Sequence, residues 1–246
     1  MNLIKLGLKM GLVVLVLVSI GACGNRAEQD TVEKAELKEL HEYDEVELSS
    51  VNDFRENSIK GPQYIDKDSA RLTITGLVDT ARTYAYDDIV NRPSRKKVVT
   101  LNCVEGWSVT ILWEGILLRD LIKEAGIDST AKVIIFHAYD GYSSSFPLNY
   151  VMENDIIMAH RMNDLTMPPE RGFPFQLVAE GKWGYKWVKW ITEIELSADE
   201  NYRGYWENYG YSNDGDLNKG FFEEIWPPSE SGEEDSTSPG EKDKEN

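Results

Sequence analysis

Cys103 is the residue of this chain whose surroundings most suggest chemistry. It follows the apolar run 98-VVTLN-102 and precedes 104-VEGW-107, so a thiol, a carboxylate, a glycine and an indole come together at the end of a predicted strand. The chain has one other cysteine, Cys23. A lone cysteine can pack as a small hydrophobic side chain, whereas an accessible thiolate binds soft metals or reacts. Both interpretations of Cys103 stay open on its own segment.

A second segment, 171-RGFPFQLVAEGKWGYKWVKWITEIEL-196, carries lysines and tryptophans at short intervals. The ammonium groups of Lys182, Lys186 and Lys189, with backbone N–H groups from Gly184 onward, suit an anionic phosphate. The alternation over 186–196 also predicts a strand, on which these lysines would be ordinary exposed residues. Composition alone favours the second interpretation.

The three histidines give no metal-binding spacing. His41, His137 and His160 are far apart in the sequence, and His137 lies in an apolar strand pattern that is typical of a core histidine. The sequence contains no C-x-x-C-H haem motif and too few cysteines for an iron–sulfur cluster. Cys103 is therefore the strongest candidate metal ligand.

Short strands and few helices should position these residues. Apolar patterning predicts strands at 71–78, 97–103, 109–113 and 132–139, in addition to the one at 186–196. A helix is predicted over 117–126, ending at a glycine. Because strands outnumber helices and do not alternate with them, we expect an α+β domain with a mixed β-sheet. Neither a phosphate-binding glycine loop nor an internal repeat is visible.

Charge excludes one class of partner. The chain has 43 acidic and 26 basic residues and a formal charge of −17, whereas nucleic-acid binding requires a dense basic surface. We expect no nucleic-acid partner.

Both chain ends differ in composition from the middle. Residues 1–22 show the order of a secretory signal, and the 20-IGAC-23 tetrapeptide resembles the lipobox of bacterial lipoproteins, which implies lipid attachment at Cys23. A short transmembrane anchor is the alternative. Residues 23–50 are predicted to be a polar tether, 51–228 the folded domain and 229–246 a disordered acidic tail.

The 102-NCVEGWS-108 motif and the 171–196 segment together resemble the molybdopterin-binding domain of the sulfite oxidase family. The resemblance spans roughly residues 50–200 and is nearest to the periplasmic branch that reduces methionine sulfoxide. A weaker match, 52-NDFRENS-58, resembles a segment that contacts the cofactor in that family. The resemblance implies the mixed-sheet fold of the sulfite oxidase type.

The resemblance also implies the site. By motif position Cys103 binds the metal and Glu105 lies beside it on the substrate side, although Glu105 read alone is equally a solvated rim charge. The cofactor contacts implied by position are Asn52, Arg55, Glu56, Arg171, Gln176, Lys186, Trp187, Val188 and Lys189. Arg171 replaces a family histidine or asparagine, and Gln176 replaces a family arginine. The second change removes a cation near the pterin phosphate or the metal.

The predicted function is that of an extracytoplasmic, lipid-anchored oxidoreductase with one mononuclear molybdenum, or tungsten, on a molybdopterin. Molybdenum takes soft sulfur donors from the pterin and needs a single protein thiolate. The expected reaction is oxygen-atom transfer from a small or protein-bound sulfoxide or related S- or N-oxide, with electrons from a membrane haem protein or quinone-linked protein. The alternatives are sulfite oxidation and a lipoprotein binding module without cofactor.

Overall fold

The computed structural model of the protein describes residues 38–223. Within this range the strands are, in chain order, β1 Glu42–Tyr43, β2 Val46–Glu47, β3 Arg71–Gly76, β4 Arg82–Ala85, β5 Arg95–Asn102, β6 Ser108–Leu117, β7 Val133–Ala138, β8 Ser143–Pro147, β9 Ile157–Met162, β10 Leu165–Thr166, β11 Gln176–Val178 and β12 Ile191–Ser197. The α-helices are α1 Tyr86–Val90, α2 Leu118–Ala125 and α3 Leu148–Glu153. The prediction of an α+β fold is confirmed.

One sheet holds the strands on either side of Cys103. Its order is β10-β9-β6-β5, with β11 pairing with β9 as well, and every pair is antiparallel. β6 and β9 approach closely at Gly115, where an added Cβ would lie 2.1 Å from the carbonyl oxygen of Met158. A side chain at position 115 would therefore push the two strands apart.

The second sheet is mixed. Its order is β4-β3-β12-β7-β8, and the β3–β12 pair is parallel while its other pairs are antiparallel. β7 carries a buried run, Val133–Phe136, that matches the prediction for 132–139. β12 is the central strand of this sheet and the last strand in chain order, after which the chain continues to residue 223 without a further named strand.

Most predicted elements are present with shifted ends. The predicted strand at 97–103 is β5, the one at 109–113 is the longer β6, and the predicted helix at 117–126 is α2 with Gly126 at its C-cap. The strand predicted over 186–196 is wrong in its first half. Gly184–Lys186 is a 3₁₀ turn and β12 begins only at Ile191, because Trp187 and Val188 are buried in succession instead of alternating.

The end of the predicted tether packs on the domain. Leu48 is buried, the Leu40 N–H donates to the Asn163 carbonyl at 3.0 Å, and the Ser49 N–H donates to the Thr110 carbonyl at 2.8 Å. The predicted signal at 1–22, the lipid site at Cys23 and the tail at 229–246 lie outside the described residues. Among the helices of residues 38–223, none combines the length and the apolar character needed to span a bilayer.

Candidate active site

Cys103 lies in the turn that joins β5 to β6. The turn is closed by the Cys103 N–H, which donates to the Trp107 carbonyl at 2.9 Å, and by the Gly106 N–H, which donates to the Cys103 carbonyl at 3.1 Å. The thiol is 9% exposed, has no disulfide partner within residues 38–223, and lines a cavity of about 220 Å³. Burial raises the pKa of Cys103, while the backbone N–H groups of Glu105 and Val104 oppose the rise. The thiol is therefore protonated at neutral pH until a metal displaces the proton.

Glu105 occupies the cavity rim beside the thiol. Its two carboxylate oxygens accept hydrogen bonds from Asn57 Nδ2 at 3.2 Å and Trp107 Nε1 at 3.1 Å. These two donors come from different segments, so they hold the carboxylate in one orientation while leaving it solvent-exposed.

The 171–190 segment supplies another part of the cavity lining. This part contains cations and an amide, in contrast to the thiol and the carboxylate of the turn. Arg171, Gln176, Trp187 and Lys189 all line the cavity. The Arg171 Nε donates to the Val51 carbonyl at 2.8 Å, and within the described residues its two terminal nitrogens make no hydrogen bond. Burial lowers the pKa of Arg171, with Glu56 and Glu170 opposing. The guanidinium is left with donors for a ligand.

Gln176 stands out in this part of the lining because of its hydrogen bonding. Its side chain is 2% exposed, and its Oε1 has no hydrogen-bond partner in the part of the chain that the structure describes. A buried amide without a partner costs roughly 1–3 kcal/mol. The Gln176 Oε1 is therefore available to accept a hydrogen bond from a ligand in the cavity, and an N–H group of a polar heterocycle such as a pterin would suit it.

The segment 52–58 reaches the same cavity in part. Arg55 lines it, and the Glu56 carboxylate accepts a hydrogen bond from Lys189 Nζ at 3.0 Å. Burial lowers the pKa of Lys189, and Glu56 opposes this shift. Asn52 is exposed and does not line the cavity; its backbone N–H donates to Ser50 Oγ at 3.2 Å.

Two residues predicted as cofactor contacts, Lys186 and Val188, make their hydrogen bonds inside the protein and do not line the cavity. Lys186 is fully buried away from the cavity, where its Nζ contacts Glu207 Oε1 at 2.7 Å and the Asn213 carbonyl at 2.9 Å. The backbone of Val188 is used inside the protein, donating to the Lys186 carbonyl and accepting from the Leu177 N–H. The structure therefore brings together Arg55, Cys103, Glu105, Arg171, Gln176, Trp187 and Lys189.

Besides Phe54, four aromatic residues of the lining were not singled out from the sequence. They are Tyr142, Tyr185, Trp206 and Tyr211. The only signal for the last two is the density of rings in 202-YRGYWENYGY-211, which follows the last predicted strand. His137 pairs instead with Glu195 at 2.9 Å and His160 with Ser94 at 3.2 Å, and neither histidine lines the cavity.

The charges of the lining are balanced. Three cations, Arg55, Arg171 and Lys189, face three carboxylates, Glu105, Asp140 and Glu170. The cavity thus combines a thiol, separate cationic and acidic groups, an unpartnered amide and a large aromatic surface. This set suits a mixed ligand with an anionic group and a polar ring system, together with a substrate of low charge.

Comparison with known proteins agrees with this donor set. The family model described as "Oxidoreductase molybdopterin binding domain" matches residues 59–206. The "Uncharacterized oxidoreductase YuiH" of Bacillus subtilis (strain 168) is 31% identical over 156 residues, which are 63% of this chain and 78% of that protein.

Longer relatives match over a smaller share of their length. The "Protein-methionine-sulfoxide reductase catalytic subunit MsrP" of Campylobacter jejuni is 28% identical over 159 residues, 58% of this chain and 53% of that protein. The mitochondrial sulfite oxidase of Homo sapiens is 28% identical over 188 residues, 64% of this chain and 34% of that protein. The chain thus spans about half or less of these two relatives.

A solved structure shares the fold. The sulfane dehydrogenase SoxCD from Paracoccus pantotrophus matches with a TM-score of 0.54 at 23% identity, covering 56% of this chain and 41% of that one. The predicted family, oxidoreductase class, molybdopterin cofactor and fold type are therefore confirmed.

Proposed function

Because this chain belongs to the family of oxidoreductase molybdopterin-binding domains, we propose that it binds a mononuclear molybdenum through Cys103 and reduces a sulfoxide or a related S- or N-oxide outside the cytoplasm. One observation carries this proposal. The Cys103 sulfur, the single thiol of residues 38–223, faces a cavity that also holds an unpartnered buried amide and free guanidinium donors.

The residues present fit the cofactor. When bound, the molybdenum pterin supplies two-electron redox chemistry, and the protein supplies binding, orientation and an electrostatic environment. Cys103 provides the soft donor that the metal prefers. Gln176 would bond the pterin ring, while Arg171 and Lys189 would bind its phosphate. Tungsten uses the same donors.

Glu105 is positioned for a role at the substrate side. Asn57 and Trp107 hold its carboxylate at the rim next to the thiol turn. We assign it the orientation of the incoming oxide and of the water that leaves. Reduction of a sulfoxide takes up two electrons and two protons and releases a thioether and water.

The charge of the cavity favours a neutral oxide over sulfite. Sulfite is a dianion, and transferring it from water into a half-enclosed site requires a clear excess of cations. Here the lining carries three cations and three carboxylates, and Arg171 and Lys189 would already bind the pterin phosphate, so no excess of cations is left for a dianion. A sulfoxide carries no net charge and meets no such cost.

The given sequence carries neither a C-x-x-C-H haem motif nor enough cysteines for an iron–sulfur cluster. We propose a membrane haem protein or quinone-linked protein as the electron donor, and lipid attachment at Cys23 as the means of keeping the enzyme beside it. One acyl chain binds a bilayer only marginally, so stable anchoring needs more than one.

The direct test is metal analysis on full-length protein made in cells that synthesise the cofactor. We expect about one molybdenum and one pterin per chain, near-complete loss of molybdenum in Cys103→Ala, and retention in Cys23→Ala, which instead leaves the membrane fraction. Oxidation of reduced viologen is then measured with a panel of sulfoxides and N-oxides, and reduction of an added electron acceptor is measured with sulfite, so that both directions of turnover are compared. Wild-type protein without molybdenum or tungsten would establish the cofactor-free binding module.

A further inference from the structure

The C-terminal segment, residues 198–223, forms part of the cavity although the family match ends at residue 206. Trp206 and Tyr211 of this segment line the cavity, and both are partly buried. The cavity of this chain is therefore completed by residues at and beyond the end of the matched domain.

The segment is held in place by a buried ion pair. Glu207, which follows Trp206 directly, is 0% exposed and accepts hydrogen bonds from Lys186 Nζ at 2.7 Å and Ser144 Oγ at 2.6 Å. The Tyr205 N–H also donates to the Ser143 carbonyl at 2.9 Å. An added Cβ at Gly204 would lie 2.2 Å from that same carbonyl, so the backbone here lies directly on β8.

A second set of contacts fixes Tyr211. The Tyr185 hydroxyl donates to the Ser212 carbonyl at 2.6 Å, and the Trp183 N–H donates to the Gly215 carbonyl at 2.8 Å. Rigid placement of this kind is what a specificity-determining side chain requires. Trp206 and Tyr211 are thus anchored on both sides.

The two rings join the aromatic wall, which we define as Tyr142, Tyr185, Trp206 and Tyr211. Ring centroids are 5.0 Å apart for Tyr185 and Tyr211 and 5.3 Å apart for Trp206 and Tyr211, and the Tyr142 hydroxyl donates to the Tyr185 carbonyl.

The wall begins next to the thiol turn. Tyr185 follows Gly184, where an added Cβ would lie 3.4 Å from the Cys103 Cα. The wall therefore extends from the proposed metal ligand to the C-terminal segment.

Aromatic faces attract apolar groups and other rings but offer nothing to a hydrated anion. The charged residues near this part of the segment are paired with each other, Lys182 with Asp214 at 2.7 Å and Lys219 with Asp214 at 2.6 Å. Resting on the function proposed above, we propose that Trp206 and Tyr211 select sulfoxides by the apolar bulk of their substituents. The preferred substrate is a sulfoxide with a large apolar or aryl group.

The test compares dimethyl sulfoxide with methyl phenyl sulfoxide in the viologen assay, using Trp206→Leu and Tyr211→Leu, which keep an apolar side chain but remove the ring. We expect KM for methyl phenyl sulfoxide to rise about three- to tenfold, because a ring–ring contact contributes that much. KM for dimethyl sulfoxide, kcat and the molybdenum content should stay within about twofold of wild type. Tyr209→Leu is the matched control, since Tyr209 is on the same segment, 66% exposed and outside the lining.

The selection role would be overturned if KM changed equally for both sulfoxides or did not change at all. Loss of the pterin in either variant would also overturn it, because the substituted ring would then contact the cofactor and not the substrate. If the leucine variants fail to fold, Trp206→Phe and Tyr211→Phe retain a ring, and they must keep the wild-type ratio of the two KM values. Failure of the proposed function is separate, because it appears in the wild type as absent metal or absent sulfoxide turnover.

Discussion

Two lysines three positions apart in the sequence lie in opposite environments. Lys186 and its partner Glu207 are both 0% exposed and lie away from the cavity, whereas Lys189 and Glu56, at 18% and 30% exposure, lie at its edge. Both lysines were predicted as cofactor contacts from motif position. The first pair holds the C-terminal segment and the second leaves a cation within reach of a ligand, so motif position does not by itself separate a structural charge from a binding charge.

The two ion pairs differ in how far solvent can reach them. A buried pair is stable only while both charges and their hydrogen bonds are present, because each charge alone would be stranded in a medium of low dielectric constant. A partly exposed pair loses less when one member is removed, since water can reach the remaining charge. Burial lowers the pKa of Lys186 and Glu207 opposes this effect, as expected for mutual dependence.

The largest effect is expected at the buried pair. Lys186→Met leaves the Glu207 carboxylate buried without its cation, so the free energy of unfolding in urea should fall by about 3–5 kcal/mol. The double variant Lys186→Met/Glu207→Met removes both charges and should recover most of that loss. If Lys186→Met lowered the free energy of unfolding by less than about 1 kcal/mol, this would show that water reaches the remaining Glu207 carboxylate.

The cavity pair should show the reverse pattern. Lys189→Met should change the free energy of unfolding by about 1 kcal/mol or less, but it removes a phosphate-binding cation, so the pterin content per chain should fall several-fold. Glu56→Gln keeps the cation and serves as the control, with pterin content close to wild type. Equal loss of pterin in both variants would mean that the pair acts as a brace for segment 52–58 and not as a ligand contact.

Parts of the site with strong local patterns were predictable. The strands β5 and β6, helix α2 with its C-cap glycine, and the thiol turn between β5 and β6 all follow from apolar periodicity and glycine placement. The placement of Cys103, Gln176 and Arg171 in one cavity was expected from the family resemblance. Local patterns and motif position agree wherever the backbone is regular.

The remainder depends on long-range packing. The stretch 187-WVKW-190 was predicted as part of a strand, yet Trp187, Val188 and Trp190 are all buried and Trp190 has a φ of 52°. The aromatic wall draws Tyr142, Tyr185, Trp206 and Tyr211 from three distant segments. No periodicity in one segment could reveal that these rings meet.

His160 is another basic side chain inside the protein, and it differs from the two lysines because its hydrogen-bond neighbour is a hydroxyl group and not a carboxylate. His160 is 4% exposed, its Nε2 lies 3.2 Å from Ser94 Oγ, and burial lowers its pKa while Glu114 partly opposes. The unfolded chain therefore binds a proton below about pH 6.5 that the folded chain resists, so stability should decrease as the pH falls below that value. The loss is at most about 1.4 kcal/mol per pH unit. We expect His160→Gln to flatten the decrease in urea unfolding free energy between pH 7.5 and 5.5, and an unchanged slope would mean that other groups cause it.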